Sequence, residues 1–253
     1  MKSKIKAGAL IIALSAATTF LDSECASATT WQVGDLTTYG QGVWSDPTYP
    51  ANALLVANFN TVYGSTGGLV AGSPSGFTLI FTDAASVLAY LPSIGPYAAL
   101  NGSALNPIST SSGAFGGDVV ALTLNVDFSD AGLLPGTSGF KFGDLTLADF
   151  TGTLAPLDGL TVRQFLADMN TLLSGGSSIV TIADLGTTVS DLNASFSDGL
   201  YATQFAQDHL VAPAVTSQTP LPAALPLFAS GLGAMGLFGW RRKRKNAAAL
   251  TAA

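Results

Sequence analysis

The chain has little of what most enzymes use. Its 253 residues include one cysteine and one histidine, and only 10% are charged, against roughly 25% in a typical soluble domain. One cysteine makes no disulfide within the chain and no thiolate cluster. With a single histidine, His209, zinc has too few soft ligands and a histidine-based triad has one possible base, placed near the end of a short helical stretch. No Gly-x-Ser-x-Gly elbow is present: Gly64–Gly68 puts Thr66, and Gly72–Gly76 puts Pro74, where the nucleophile would stand. No glutamate follows Glu24. A hydrolase working through paired carboxylates would therefore draw on aspartate alone, and sequence does not measure their separation.

What charge there is lies in blocks. The formal net charge is −6, but Lys2, Lys4 and Lys6 sit at the start and Arg241, Arg242, Lys243, Arg244 and Lys245 form one run near the end. Between Thr29 and Gln218 only Lys141 and Arg163 are basic, against fourteen aspartates. A nucleic-acid face needs clustered Lys and Arg, so this anionic middle argues against nucleic acid as a partner. Hydrophobic residues at 48% and a mean hydropathy of +0.43 disfavour a wholly disordered chain.

Residues 1–28 read as a secretory signal peptide. The three lysines form its basic head, Ala7–Phe20 an apolar stretch too short to span a bilayer comfortably, and Ala26-Ser27-Ala28 a small-residue cleavage site, with Ala26 and Ala28 at the required spacing. Asp22 and Glu24 are unusual between the two. Cys25 falls inside the segment, and Glu24 before it disfavours lipidation. Cleavage after Ala28 leaves a chain without a thiol.

The other end carries Thr219, Pro220, Leu221, Pro222 and Ala223, then an uncharged stretch to Trp240, then the basic run Arg241–Lys245. Leu221–Trp240 spans 20 residues, which as a helix rises about 30 Å, one hydrocarbon thickness. Pro222 suits a first helical turn and Pro226 would kink or delay the helix. Trp240 stands at the interface, and the cations after it keep the end of the chain cytoplasmic. Gly231-Leu-Gly-Ala-Met-Gly236 fits the dinucleotide fingerprint but lies inside this apolar stretch, without the strand and open helix start that pyrophosphate needs.

The proline motif, apolar helix and basic cluster over 219–245 resemble the PEP-CTERM sorting signal in its VPLPA-like variant, departing at Thr219 where that variant carries Val. The resemblance implies an exported protein of a Gram-negative, exopolysaccharide-making bacterium. It implies an exosortase as partner, with the transpeptidase nucleophile on that enzyme. It also implies transient anchoring in the membrane, followed by release or attachment to exopolysaccharide or another envelope polymer. An ordinary single-pass anchor is the plainer alternative.

This leaves residues 29–211 as one exported acidic domain, 212–218 as a linker and 246–253 as a cytoplasmic tail. The domain is long enough for a real core. Trp31–Tyr39 and Gly76–Phe81 read as strands. Asp118–Phe128 alternates Val120, Leu122, Leu124, Val126 and Phe128 on one face and reads as the clearest strand; Phe140–Phe150 is a weaker one. Asp83 caps a short helix stopped by Pro92. Thr161 caps Val162–Leu173, stopped by Gly175-Gly176; Thr181 caps Ile182–Phe196, weakened by Gly186; Ala202–Leu210 is a third short helix. The expected class is α+β: a β-rich first part, meander or sandwich, with helices after it and a single C-terminal transmembrane helix.

Leu124-Asn125-x-x-Phe128-Ser-Asp recurs as Leu192-Asn193-x-x-Phe196-Ser-Asp, and Gly-Asp-Leu-Thr occurs at Gly34 and Gly143. Placed on a strand end and a helix end, the first pair reads as chance or reused turn chemistry. Asn125, Asp127 and Asp130, followed by Asp144 and Asp149, are the candidate calcium ligands, although the D-x-[DN]-x-[DN]-G loop is absent. Solvated turn aspartates are the plainer reading. The expectation is a non-catalytic surface or matrix protein without a resident cofactor. A calcium-dependent carbohydrate-binding or adhesion module and a polysaccharide hydrolase are the alternatives.

Overall fold

The computed structural model describes residues 30–213. The signal segment 1–28, the sorting segment 219–245 and the tail 246–253 lie outside the described residues. The described chain is α+β and closes around one hydrophobic core. Among its residues no helix is long and apolar enough to cross a membrane.

The first part is not a β meander or sandwich. Trp31–Tyr39 turns at Gln32–Asp35 and then runs extended, but it pairs with helix ends in place of strands. Thr38 N–H donates to the Phe196 carbonyl at 3.0 Å, and Phe196 N–H returns a bond to Thr38 Oγ1 at 3.0 Å. Two helices follow, α1 (Gln41–Ser45) and α2 (Pro50–Tyr63). In α2, Pro50 occupies the first turn and Ala51, Leu55, Phe59 and Tyr63 repeat every fourth residue on the buried face. Asparagines obscure that pattern in the sequence because they lower helix propensity. Here two of them are absorbed: Asn58 Nδ2 donates to Leu54 O at 2.9 Å and Asn52 Nδ2 to Trp44 O at 3.3 Å.

The sheet is small. β1 (Leu69–Gly72) pairs antiparallel with β2 (Thr78–Phe81), and β2 pairs parallel with a two-residue β3 (Ala104–Leu105). Leu69, Ala71, Leu79 and Phe81 face the core. Between β2 and β3 lies α3 (Ala84–Tyr90), capped as expected: Asp83 Oδ1 accepts from Ser86 N–H at 2.8 Å.

The largest correction concerns the stretch read as the clearest strand. Asp118–Phe128 lies inside one helix, α4 (Ala114–Asp130), which is the axis of the domain. Nearly every residue from Phe115 to Ser129 is buried, Asp127 being the exception. A helix enclosed on all sides needs no apolar stripe, so the alternation carries no strand information. Around it stand α1, β1, the later helices over Val162–Leu173 and Thr188–Ala194, and the turn at Phe142–Asp144. The aromatic layer is continuous with it: Trp44 meets Phe128 edge-on at 5.4 Å and Tyr39 at 5.2 Å.

Phe140–Phe150 gives a single 3₁₀ turn at Phe142–Asp144 and a two-residue β4 (Thr146–Leu147). α5 (Val162–Leu173) forms where expected. Thr161 Oγ1 accepts from Gln164 N–H at 3.1 Å, Gln164 Oε1 accepts from Thr161 N–H at 2.8 Å, and Gly175 follows with φ +87°. The helix expected over Ile182–Phe196 is two, α6 (Ile182–Leu185) and α7 (Thr188–Ala194), because Gly186 takes φ +50° and breaks the ladder. Thr203 caps α8 (Gln204–His209), and β5 (Leu210–Val211) closes antiparallel on β4.

Candidate functional site

α4 carries the chemistry-bearing residues of the core. At its start, Asp118 is only 5% exposed yet faces no cation. Its carboxylate accepts from Gln41 Nε2 at 2.7 Å and, through a very short bond, from the Tyr97 hydroxyl. Gln41 Oε1 in turn accepts from Ser93 N–H at 2.9 Å. Burial pushes the Asp118 carboxyl upward, and burial beside that carboxylate pushes the Tyr97 phenol up as well. Gly117 makes the approach possible: a Cβ there would stand 1.8 Å from Gln41 Oε1. Every polar atom named is used inside the group, so it serves as a fastener.

The three candidate calcium ligands do not converge. Asn125 is fully buried, and its side chain is spent on other bonds. Its Oδ1 accepts from Tyr39 N–H at 2.9 Å, while Nδ2 donates to Tyr39 O and to Asn193 Oδ1, each at 2.9 Å. Asp127 faces the buried Tyr63 hydroxyl, and burial raises its pKa to about 6. Asp130 is held by Arg163 through two bonds, 2.5 and 2.9 Å, and Arg163 also reaches Asp144 at 3.2 Å. Among the described residues no group of three or more His, Cys, Asp or Glu side chains is placed to hold a metal. On the helix Asp127 and Asp130 are three residues apart and share a face, while Asn125 leaves on another side into the core.

His209 stacks on Phe150 with ring centres 4.2 Å apart, and its Nδ1 lies 3.0 Å from the Ala148 carbonyl. A carbonyl only accepts, so Nδ1 carries the proton. That contact makes the ring a packing element at the α8–β4 junction. The two glycine-flanked stretches are turns on either side of β1: Thr66 Oγ1 donates to the Tyr63 and Gly68 carbonyls, and the Ser73 and Ser75 hydroxyls bond each other at 2.9 Å.

The repeated motif proves to be structural. Both copies sit at helix ends, the first in α4 and the second across the end of α7. Asn125 and Asn193 bond each other, and Asn193 Nδ2 continues to the Asp118 carbonyl at 2.9 Å. Each copy ends in a left-handed turn, at Gly132 (φ +69°) and at Asp198-Gly199 (φ +54° and +68°). The two Gly-Asp-Leu-Thr copies also share turn chemistry. Asp35 accepts from Gln32 N–H and Asp144 from Lys141 N–H, each three residues back, while Leu36 and Leu145 enter the core.

A polar-walled cleft of about 170 Å³ lies between the Asp35 turn and the loop that leaves α4. Asp35, Ser129, Ser138 and Lys141 give it polar walls, and Leu36, Leu134, Pro135 and Phe140 give it apolar ones. The sequence reading missed it as a site, although Lys141 and the Gly34 motif had both drawn notice. Comparison with protein-family models, curated proteins and solved structures returns no match.

Proposed function

We propose that the chain is an exported, exosortase-processed surface or matrix protein whose body acts by binding and not by turnover. The observation that carries this reading is the ordered succession over Thr219–Lys245: proline motif, uncharged stretch of one bilayer thickness, Trp240 and five cations. The segment 1–28 supplies the route out and 219–245 the pause in the membrane. The body then faces outward with fourteen aspartates against two cations. Its core is closed by apolar packing and buried hydrogen bonds without a thiol, which suits a domain that leaves the cytoplasm.

Deleting Leu221–Lys245 and fractionating the cells tests this. The intact chain is expected to pass through a membrane-held precursor to a shorter surface or extracellular product starting at Thr29. The deletion is expected to abolish the membrane-held species. A deletion variant still retained in the membrane, or a mature product that begins at Met1, overturns the reading.

A further inference from the structure

Lys141 stands apart in the charge pattern. Among the described residues the cations are Lys141 and Arg163, and Arg163 makes both ion pairs. Among the described residues Lys141 has no carboxylate within ion-pair distance, although aspartates there outnumber Lys and Arg sevenfold. Its side chain is half-buried, and its ammonium hangs over Gly132, where a Cβ would lie 3.7 Å from Nζ. A half-buried lysine without a counter-charge among the described residues of so anionic a domain has ammonium donors left for a ligand.

The same cleft offers complementary groups. Asp35 is fixed from behind: Oδ2 accepts from Gln32 N–H at 2.8 Å and Oδ1 from the Thr137 hydroxyl at 2.9 Å, leaving further lone pairs on a carboxylate that lines the opening. Ser129 Oγ accepts from Phe142 N–H at 2.9 Å, and its own proton has no acceptor among the described residues. Gly136 keeps the wall low, since a Cβ there would meet Asp35 O at 2.3 Å. The carboxylate and the ammonium stand on opposite loops. A simple anion would meet Asp35, and a bare cation would meet Lys141. A neutral ligand with both hydroxyl donors and hydroxyl acceptors satisfies both, and the C–H face of a ring can lie on Leu134, Pro135 and Phe140. The volume is below that of drug-sized pockets and suits a single small ring.

We propose that the cleft between Asp35 and Lys141 binds one neutral glycosyl unit without a metal ion. The cleft chemistry stands by itself; it rests on the export reading only for where a saccharide would be met. The test uses the full chain purified in a zwitterionic detergent that contains no sugar. Methyl glycosides of glucose, galactose, mannose and N-acetylglucosamine are titrated and followed by saturation-transfer NMR and calorimetry, with glycine and phosphate as zwitterion and anion competitors. At least one glycoside is expected to bind in the millimolar range, equally well with a chelator present. Lys141→Gln is expected to weaken it about tenfold or more with an unchanged melting temperature. Asp35→Asn, which keeps an acceptor for the turn, is expected to weaken it in the same direction. No glycoside binding up to roughly 100 mM, unchanged affinity in Lys141→Gln, or glycine or phosphate competing as well as the sugars overturns the proposal. Purified protein needs no address to bind, so failure here and failure of the fractionation experiment are read separately.

Discussion

The two ends of α4 solve the same problem by different means. Each carries carboxylates pressed against the domain. At the first end, Asp118 is buried and neutral donors surround it: the Tyr97 hydroxyl and the Gln41 amide. At the second, Asp130 is partly open and takes a guanidinium, Arg163, which also holds Asp144. Between them Asp127 has no cation of its own and shifts toward its neutral form. The difference teaches where the domain is locked. A buried acid held by neutral groups is tied to its exact neighbours, because any partner lost is an orphan in a dry place. An exposed ion pair loses little when broken, because water replaces it.

The comparison breaks most sharply at Asp118. Asp118→Ala orphans the Tyr97 hydroxyl and one Gln41 donor, and is expected to cost about 2–4 kcal/mol in denaturant unfolding. A cost similar to that of a surface aspartate would remove the distinction between the two ends.

Asp127 gives the next effect, and its sign is fixed by its raised pKa. The carboxyl titrates near 3.8 when unfolded and about 6 when folded. The folded state therefore holds the proton more tightly, and stability falls as pH rises from about 4 to about 6, then levels. Tyr63, Asp130 and Arg163 are the titratable groups that shape this shift, with burial the largest cause. Asp127→Asn, which has no proton to lose, is expected to raise the melting temperature at pH 7 by about 2–4 °C and to flatten the slope between pH 4 and 6. A melting temperature that rises with pH across that window in the parent protein contradicts the shift.

Arg163→Met is the smallest of the three. It opens both ion pairs, each partly exposed, and is expected to cost about 1 kcal/mol or less, less still in high salt. A loss matching that of Asp118→Ala would make the two ends equivalent.

Much of the helical framework was legible because its signals are local. Asp83 before α3, Thr161 at the start of α5, and Gly175 after it all act within one turn of chain. Gly186 was read as a weak point, and it is a break, since its φ of +50° leaves the helix altogether. α4 was illegible for a physical reason. Burial on all sides removes the periodic contrast from which helix and strand are told apart. The Asn125–Asn193 echo was visible as letters, but its meaning depended on both copies being helical. The cleft was illegible because Asp35 and Lys141 lie far apart in the chain and are brought together only through Leu36, the end of α4 and the turn at Phe142.

By itself, the sequence determined the segregation of charge, the confinement of its one thiol to the first 28 residues, the helix caps and the stops. These are properties of composition or of neighbours within a few residues, where side chain and backbone meet whatever the fold. Tertiary structure alone decided that an alternating apolar run becomes the central helix, that Asn125 and Asp130 are fasteners, and that an unpaired lysine opens on a polar cleft. Those outcomes depend on which surfaces exclude water from which, and only the closed domain sets that.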